Sequence, residues 1–250
     1  MSKQKISNID ELVSDSRIIK ELNEFKFRFM SIASHEFRTP LTTILTSSEL
    51  LLMVGRSISE DRYVDYIIQI QNAVIYMTSI LDDILTINKI ETGKWKFNPT
   101  KTNLNSFCNK MIEDAKNFTS ENHKIIFKSN FKSSFAIIDN KLLQHIISNL
   151  LSNSIKYSPG GGEIKLELKK SKSDLVFSVE DHGIGIIKKD QEKLFDIFYR
   201  GKNAERFEGT GLGLSIVKRC VESHGGRIEF DSKLNKGTRF EVTIPMLTPV

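Results

Sequence analysis

Two long stretches of the chain carry apolar residues at intervals of three and four, which places those residues on one face of an α-helix. The first stretch contains Ile18, Leu22, Phe25, Phe29 and Ile32, and it runs on past Pro40 to Leu52. The second stretch follows a turn-like segment at 55–57 and contains Ile67, Ile70, Val74, Met77, Leu81 and Ile84. Ser57 and Glu60 fit a capping box that opens this second helix, and Gly93 suits its end.

The spacing therefore predicts an αα-hairpin up to about residue 92. Two helices cannot easily bury such long apolar seams between themselves. We therefore expect the hairpin to pair with a second copy in a dimeric four-helix bundle. Residues 1–24 continue the same periodicity upstream, so they are predicted to form a coiled-coil linker helix ahead of an all-α domain at 25–93.

After Trp95 the pattern changes, because short alternating apolar runs now stand between amphipathic segments. Helices are predicted at 104–115, 142–157 and 214–223. Strands are predicted at 125–127, 136–138, 164–168, 175–179, 227–230 and 238–244, with an irregular glycine-rich stretch at 181–213. Helices beside a mixed sheet form an α+β two-layer sandwich, so residues 94–250 are predicted to be a second domain.

Composition excludes several classes of function. No run of the 250 residues approaches the ~20 apolar residues needed to span a bilayer, and the polar start is unlike a signal peptide. The chain is therefore expected in the cytoplasm, although a longer parent has room for a membrane anchor upstream. Cys108 and Cys220 have no CxxC partner and are expected to be packing residues. The net charge of +5 is spread out, so no nucleic-acid partner is expected.

His35 lies in the segment Ser34-His35-Glu36-Phe37-Arg38-Thr39-Pro40-Leu41. A lone helical histidine is more often structural than reactive. Here, however, His35 falls about 60° from Ile32 on the helical wheel, at the edge of the seam, where one ring nitrogen can face solvent. Neutral imidazole is a competent nucleophile near pH 7, and Glu36 can accept a hydrogen bond from the ring. Pro40 either bends the helix beside this reactive group or merely marks an irregularity.

This segment closely resembles the H-box of histidine kinases with a His-Glu-x-x-Thr signature. The resemblance implies that His35 is the phosphorylation site and that Glu36 is the general base. It also implies that Thr39 positions water for dephosphorylation of a partner, although a helical threonine is otherwise usually an innocuous surface residue.

The second domain contains four stretches that suit a nucleotide. In the first, Asn149 and Asn153 stand one helical turn apart, and Lys156 follows Asn153 on a nearby face. The amide oxygens can bind Mg²⁺, Lys156 can neutralise phosphate, and Tyr157 can lie against a purine ring. By themselves, these residues fit helix capping or a buried amide network better than a metal site.

The second stretch is Asp181-His182-Gly183-Ile184-Gly185, directly after a strand. Its carboxylate can accept the adenine amino group while Gly183 and Gly185 let the backbone approach the ring, although such a short motif also fits a simple turn. The third stretch, 195–200, ends in Arg200, which is expected within reach of phosphate.

The fourth stretch combines glycines with the start of a helix, where backbone N–H groups and the helix dipole favour anions. It comprises Gly209, Thr210, Gly211, Leu212, Gly213 and Leu214. It is not a Walker A loop, because no Gly-Lys-Ser/Thr follows, and it does not fit a Rossmann fingerprint, because no strand immediately precedes it.

In this order, the four stretches resemble the N, G1, F and G2 boxes of the histidine-kinase ATP-binding domain, whose fold is shared with gyrase B and heat-shock chaperones. The resemblance implies ATP as substrate, Mg²⁺ bound by Asn153, phosphate contacts from Asn149 and Lys156, and adenine recognition by Asp181. Ser154 stands where alanine is more usual. The resemblance further implies autophosphorylation of His35 in a homodimer and transfer to an aspartate of a response regulator receiver domain.

Two features of function follow from the same resemblance. A sensor domain is expected upstream of this chain, and phosphatase activity toward the regulator is expected beside the kinase activity. Two other functions fit parts of the pattern, namely a pure ATPase or chaperone-like clamp and a kinase-dead scaffold. The H-box argues against the clamp, and the intact nucleotide motifs argue against the scaffold.

Overall fold

The computed structural model describes residues 30–53 apart from 32, 59–116, 119, 122–131, 135–207 and 209–247. The predicted linker helix at 1–24, the apolar residues from Ile18 to Ile32, the turn at 55–57 and the capping serine Ser57 lie outside the described residues. The chain divides into two compact units at 1–81 and 82–250. In the part of the chain that is described, no helix is both long and apolar enough to cross a membrane.

The first unit contains two antiparallel helices, which confirms the predicted hairpin. Helix α1 covers the described residues 30–31 and 33–53, and helix α2 covers Glu60–Glu91 and extends into the second unit. Two side-chain hydrogen bonds join the helices. Ser47 Oγ donates to Gln69 Oε1 at 3.2 Å, and Tyr76 Oη donates to Glu36 Oε2 at 2.7 Å. Because the later residue of α1 pairs with the earlier residue of α2, the two helices run in opposite directions.

Helix α2 buries fewer residues against the hairpin than the apolar periodicity predicted. Ala73 and Ile80 are buried at a spacing of seven residues, while Ile67, Ile70 and Met77 are half-buried beside them. Val74 and Leu81, which the periodicity assigned to the same seam, are each 49% exposed. The periodicity therefore identified the helix correctly but included residues that this single hairpin leaves uncovered.

The second unit is an α+β sandwich. Its elements, in chain order, are β1 (Thr100–Asn103), α3 (Leu104–Lys116), β2 (His123–Ser129), β3 (Phe135–Ile138), α4 (Asn140–Lys156), β4 (Gly162–Ser171), β5 (Asp174–Asp181), α5 (Gly213–Ser223), β6 (Arg227–Lys233) and β7 (Gly237–Pro245). Two short 3₁₀ helices, Lys188–Lys193 and Lys202–Ala204, lie within the glycine-rich stretch between β5 and α5. The predicted helices and strands are confirmed to within a few residues, whereas the short strand β1 was not predicted.

The main sheet has the strand order β2-β4-β5-β7-β6. Strand β2 pairs with β4 in parallel and the other neighbours are antiparallel, so the sheet is mixed, as predicted. A separate small sheet joins β1 to β3. Helix α3 contacts β2, α4 contacts β4 and β5, and α5 contacts β6 and β7, so the helices form one layer and the sheet forms the other.

Apolar residues of both layers make one continuous core. Leu142, Ile146 and Leu150 recur along α4 with no exposed surface, and Phe177 in the middle of the sheet is also fully buried. The final turns of α2 add Ile84, Ile87 and Ile90 to the same core. Burial of one such side chain contributes on the order of 2 kcal/mol, so this core accounts for much of the unit's stability.

Candidate active site

His35 lies on α1 with its ring open to solvent. Its side chain is 74% exposed, as the position at the edge of the seam predicts. Its Nδ1 stands 3.6 Å from Glu36 Oε1, slightly beyond hydrogen-bond length, while the Glu36 side chain is only 13% exposed. An accessible imidazole beside a mostly covered carboxylate is suited to nucleophilic chemistry with proton removal from the ring.

Glu36 has a second partner that the sequence did not reveal. The Tyr76 hydroxyl donates to Glu36 Oε2 at 2.7 Å, across the hairpin from α2. One carboxylate oxygen therefore accepts a hydrogen bond from the neighbouring helix, and the other stands nearest to His35.

Thr39 and Pro40 follow on α1, in the segment that resembles an H-box. Thr39 is exposed one turn after His35, and its backbone carbonyl accepts a hydrogen bond from Thr43 Oγ1 at 3.2 Å. Pro40 is buried, and the helix continues through it. Thr39 thus shares the exposed surface around His35, although its predicted role toward water remains a prediction.

Helix α4 presents the predicted amides. Asp139 caps its start, because its Oδ1 accepts from Lys141 N at 3.0 Å and from Leu142 N at 3.2 Å. Asn149 Nδ2 donates to His145 O at 2.8 Å, which leaves the amide oxygen Oδ1 for another partner. The half-buried Asn153 amide makes no hydrogen bond with any residue that the structure describes. Its oxygen therefore fits the predicted role of a Mg²⁺ ligand.

Two residues at the end of α4 face the glycine-rich loop. Lys156 Nζ lies 4.8 Å from the centre of the Tyr157 ring, and it is close to Gly209, where a Cβ would stand only 2.4 Å away. The Tyr157 ring packs edge-on against Phe207, with 5.3 Å between ring centres. Burial raises the pKa of the Tyr157 hydroxyl, and the charge of Arg200 acts in the opposite direction.

Asp181 ends strand β5 as a buried carboxyl group with three donors. Oδ1 accepts from Gly183 N at 2.9 Å and from Thr238 N at 3.2 Å, while Oδ2 accepts from Ser154 Oγ at 3.2 Å. Burial raises the pKa of this carboxyl, and the hydrogen bonds partly oppose that effect. Ser154 thus connects α4 to the predicted adenine-binding carboxylate.

Gly183 and Gly185 bring the loop after Asp181 close to the neighbouring backbone. A Cβ on Gly183 would stand 2.1 Å from Tyr157 O. A Cβ on Gly185 would stand 2.1 Å from Lys233 O, and Gly185 also has a φ of +64°. Only glycine fits both positions without movement of the backbone.

Arg200 makes hydrogen bonds to the loop that follows it, and its predicted reach to phosphate remains a prediction. Its Nη2 donates to the carbonyls of Ala204, Glu205 and Phe207, so the guanidinium holds the loop that follows it. Asp190 holds the chain on either side of Arg200, because its carboxylate accepts from Tyr199 Oη at 2.9 Å and from Lys202 N at 3.0 Å. Sequence reasoning missed Asp190, a buried carboxylate outside the recognised motifs.

The glycine-rich segment that precedes α5 lies against α4. A Cβ on Gly213 would stand 2.6 Å from Asn149 Oδ1, so this glycine allows the amide to approach the first turn of α5. The preceding residue Leu212 is buried and supplies no side-chain cap, although its N–H donates to Thr210 Oγ1 at 3.1 Å. The remaining predicted residues, Gly211 and Leu214, lie in the same segment. No side chain among the described residues caps the first turn of α5, and N–H groups at such a helix start can bind anions.

The structure brings most of the predicted nucleotide residues together. Lys156 meets Gly209, Asn149 meets Gly213, and Ser154 meets Asp181, so α4, the loop after β5 and the start of α5 line one region of the second unit. The other four histidines are internal or surface residues. His123, His145 and His224 pack or hydrogen-bond within the unit, and His182 is exposed. Cys108 and Cys220 are buried, and burial raises the pKa of each thiol to about 12.

Fold and site together define a class of protein: a helical hairpin that presents a histidine, joined in one chain to an α+β sandwich with glycine-rich loops suited to a nucleotide. Two family models match the chain. The His Kinase A (phospho-acceptor) domain matches residues 25–93, and the Histidine kinase-, DNA gyrase B-, and HSP90-like ATPase matches residues 138–248.

Similar proteins agree with this assignment. Sensor histidine kinase WalK of Bacillus subtilis (strain 168) is 34% identical over 96% of this chain and 40% of its own length. Circadian input-output histidine kinase CikA of Synechococcus elongatus is 29% identical over 97% of this chain and 33% of its own length. The solved structure of Acinetobacter baumannii histidine kinase AdeS, at 22% identity, shares the fold with a TM-score of 0.63 over 86% of this chain and 98% of that one.

The chain therefore belongs to the histidine kinases and contains their phospho-acceptor and ATPase domains. It spans two fifths or less of the length of WalK and CikA.

Proposed function

We propose that this chain transfers the γ-phosphate of ATP to Nε2 of its own His35. The observation that carries the proposal is the exposed His35 ring beside the mostly covered Glu36 carboxylate, in a chain whose second unit holds an ATPase fold. The matches to the phospho-acceptor and ATPase family models support the same reaction.

The chemistry of the transfer follows from these residues. The lone pair of Nε2 attacks the γ-phosphorus, an N–P bond forms, and the bond from phosphorus to the β–γ bridging oxygen breaks, so that ADP leaves with that electron pair. The proton on Nδ1 passes to Glu36, which leaves a neutral phosphorylated ring. Exposure of the ring is required at this step, because both the phosphate and a later acceptor must reach the same nitrogen.

The second unit binds the nucleotide through the residues that line α4 and α5. Asp181 accepts the adenine amino group, Asn149 and Lys156 serve the phosphate end of the nucleotide, and the first turn of α5 supplies backbone N–H groups. Asn153 offers its amide oxygen to Mg²⁺, which when bound neutralises charge on the phosphates. Arg200 is proposed to lie within reach of phosphate while its Nη2 orders the loop at 204–207.

The working unit is proposed to be a homodimer through the hairpin. Apolar side chains that stay exposed on the single hairpin include Leu41, Leu45, Val64, Ile68, Val74 and Ile75, each about half exposed. Exposed apolar residues in such number on one pair of helices are typical of an interface, and a second hairpin buries them in a four-helix bundle.

Phosphate is proposed to pass from His35 to an aspartate on the receiver domain of a response regulator, with Thr39 assisting the reverse dephosphorylation by water. In the parent protein, a sensor domain upstream of residues 1–24 is proposed to regulate both activities. The high exposure of His35 supports this role, since a second protein must reach the ring.

The direct test is labelling with radioactive ATP. His35→Gln is expected to abolish acid-labile incorporation and to leave nucleotide affinity within about twofold, because the nucleotide residues lie in the other unit. His123→Gln is the matched control, since glutamine retains a donor for Ser158 O at this position. Strong residual labelling of the His35 variant, or equal loss in the control, would contradict the proposal.

A further inference from the structure

Tyr76 connects the second helix of the hairpin to the carboxylate beside the reactive histidine. It follows the buried Ala73 by three residues and precedes the buried Ile80 by four, so it lies on the inner face of α2. From there, its hydroxyl reaches Glu36 Oε2 at 2.7 Å, forty residues away in sequence. A distance this short between a hydroxyl and a carboxylate is typical of a strong, charge-assisted hydrogen bond.

Glu36 needs such a donor because most of its side chain is covered. With only 13% of that side chain exposed, water cannot fully solvate the carboxylate, and an unpaired charge in this environment is unfavourable. Tyr76 satisfies one oxygen. The other oxygen, Oε1, then stands 3.6 Å from His35 Nδ1, within a small movement of hydrogen-bond length.

We propose that Tyr76 is a positioning residue for phosphorylation of His35. By holding Oε2, its hydroxyl directs Oε1 toward Nδ1, which keeps the ring proton on Nδ1 and the lone pair on the exposed Nε2. This inference rests on the proposed function, because it assigns Tyr76 a part in that transfer. In the reaction, the N–P bond forms at Nε2, ADP leaves with the bridging oxygen, and the Nδ1 proton moves to the carboxylate that Tyr76 holds.

A purely structural role for Tyr76 leads to a different expected result. If the hydroxyl only stabilises the hairpin, its removal lowers the melting temperature but acts on the rate independently of Glu36. If the hydroxyl positions Glu36, its removal has no further effect once the carboxylate itself has been replaced. The coupling between the two substitutions therefore separates the two roles.

The kinetic test uses the full chain with Tyr76→Phe, Glu36→Gln and the double variant. Tyr63→Phe is the matched control, because Tyr63 lies on the same helix and is 49% exposed. We expect Tyr76→Phe to lower the rate of His35 labelling at saturating ATP about tenfold without changing the KM for ATP, since part of the general-base contribution is lost. In the Glu36→Gln background the same change should alter the rate less than about twofold.

Three kinetic results would overturn the inference: a rate for Tyr76→Phe equal to that of Tyr63→Phe, a full tenfold loss that persists with Glu36→Gln, or a change confined to KM. A circular dichroism melt of each variant identifies loss of rate caused by unfolding.

A second measurement distinguishes failure of this inference from failure of the proposed function. Nitrogen-15 NMR of labelled histidine reports the tautomer of His35, identified among the five histidines by comparison with His35→Gln. We expect the Nδ1–H tautomer to dominate in the unchanged chain and the Nε2–H tautomer to increase in Tyr76→Phe, but not in Tyr63→Phe. If the unchanged chain transfers no phosphate, the proposed function fails, while an unaltered tautomer in Tyr76→Phe refutes the positioning role by itself.

Discussion

Replacing Asp83 by asparagine is predicted to stabilise the second unit increasingly as pH rises. Asp83 lies half-buried near the end of α2, one residue before Ile84, which packs against the core. Its carboxylate has no hydrogen-bond or ion-pair partner among the residues that the structure describes. Burial, and then the negative charge of Asp82, raise the pKa of Asp83 from 3.8 to about 7.

The sign and size of the effect follow from linkage. Because the pKa of Asp83 is higher in the folded chain, the unfolded chain loses this proton at a lower pH than the folded chain does. The free energy of unfolding is therefore at its full value below the unfolded pKa of Asp83, and it falls as pH rises from there through about 7. A shift of about three units at ~1.36 kcal/mol per unit gives on the order of 4 kcal/mol at pH 8 and about 1 kcal/mol at pH 4.5. Asparagine stays neutral and avoids this loss.

The assay is urea unfolding followed by fluorescence of Trp95, the single tryptophan, which lies in the second unit. The gain in unfolding free energy from Asp83→Asn should grow by about 3 kcal/mol between pH 4.5 and pH 8. The matched control is Asp114→Asn, an exposed position on α3, which should change stability by less than about 0.5 kcal/mol. A gain that does not vary with pH, or a destabilisation at pH 8, would refute the reasoning.

Two further substitutions test the nucleotide region. Asn153→Ala should weaken Mg²⁺-dependent binding of a non-hydrolysable ATP analogue at least about tenfold, as loss of a metal contact typically does; unchanged affinity by calorimetry would disprove its role as a ligand. Ser154→Ala should lower the unfolding free energy by about 1–2 kcal/mol, because Asp181 loses one of its three donors. Urea unfolding at pH 7 checks the second prediction, and an unchanged midpoint would show that the 3.2 Å hydrogen bond contributes nothing.

Local patterns in the sequence were enough to predict much of this fold. The periodicity of three and four residues identified α2 and α4, and the alternation in β4 and β5 identified paired strands, because each signal depends on residues close together in the chain. Strand β1 escaped notice because Thr100–Asn103 is short and polar, and it exists only through pairing with β3. The extent of the α2 seam was overestimated, since periodicity alone does not show which apolar residues a partner covers.

Motifs supplied the predicted site residues, whereas contacts between residues distant in sequence could not be predicted. His35, Asn153 and Asp181 lie within recognisable segments. Tyr76 lies forty residues from Glu36 and in no motif, so only the packing of the hairpin reveals their contact. The hydrogen bonds from Arg200 to three carbonyls of the following loop likewise depend on how that loop folds, so the sequence alone does not reveal them.

The most direct test of the central claim is the position of the phosphate itself. After incubation with ATP and Mg²⁺ and digestion at neutral pH, electron-transfer fragmentation mass spectrometry should locate one acid-labile phosphate on His35, the residue whose ring is 74% exposed beside Glu36. This phosphate should be lost in acid and should be absent from His35→Gln. Phosphate on any other residue, or release of inorganic phosphate from ATP with no modified histidine, would contradict the central claim.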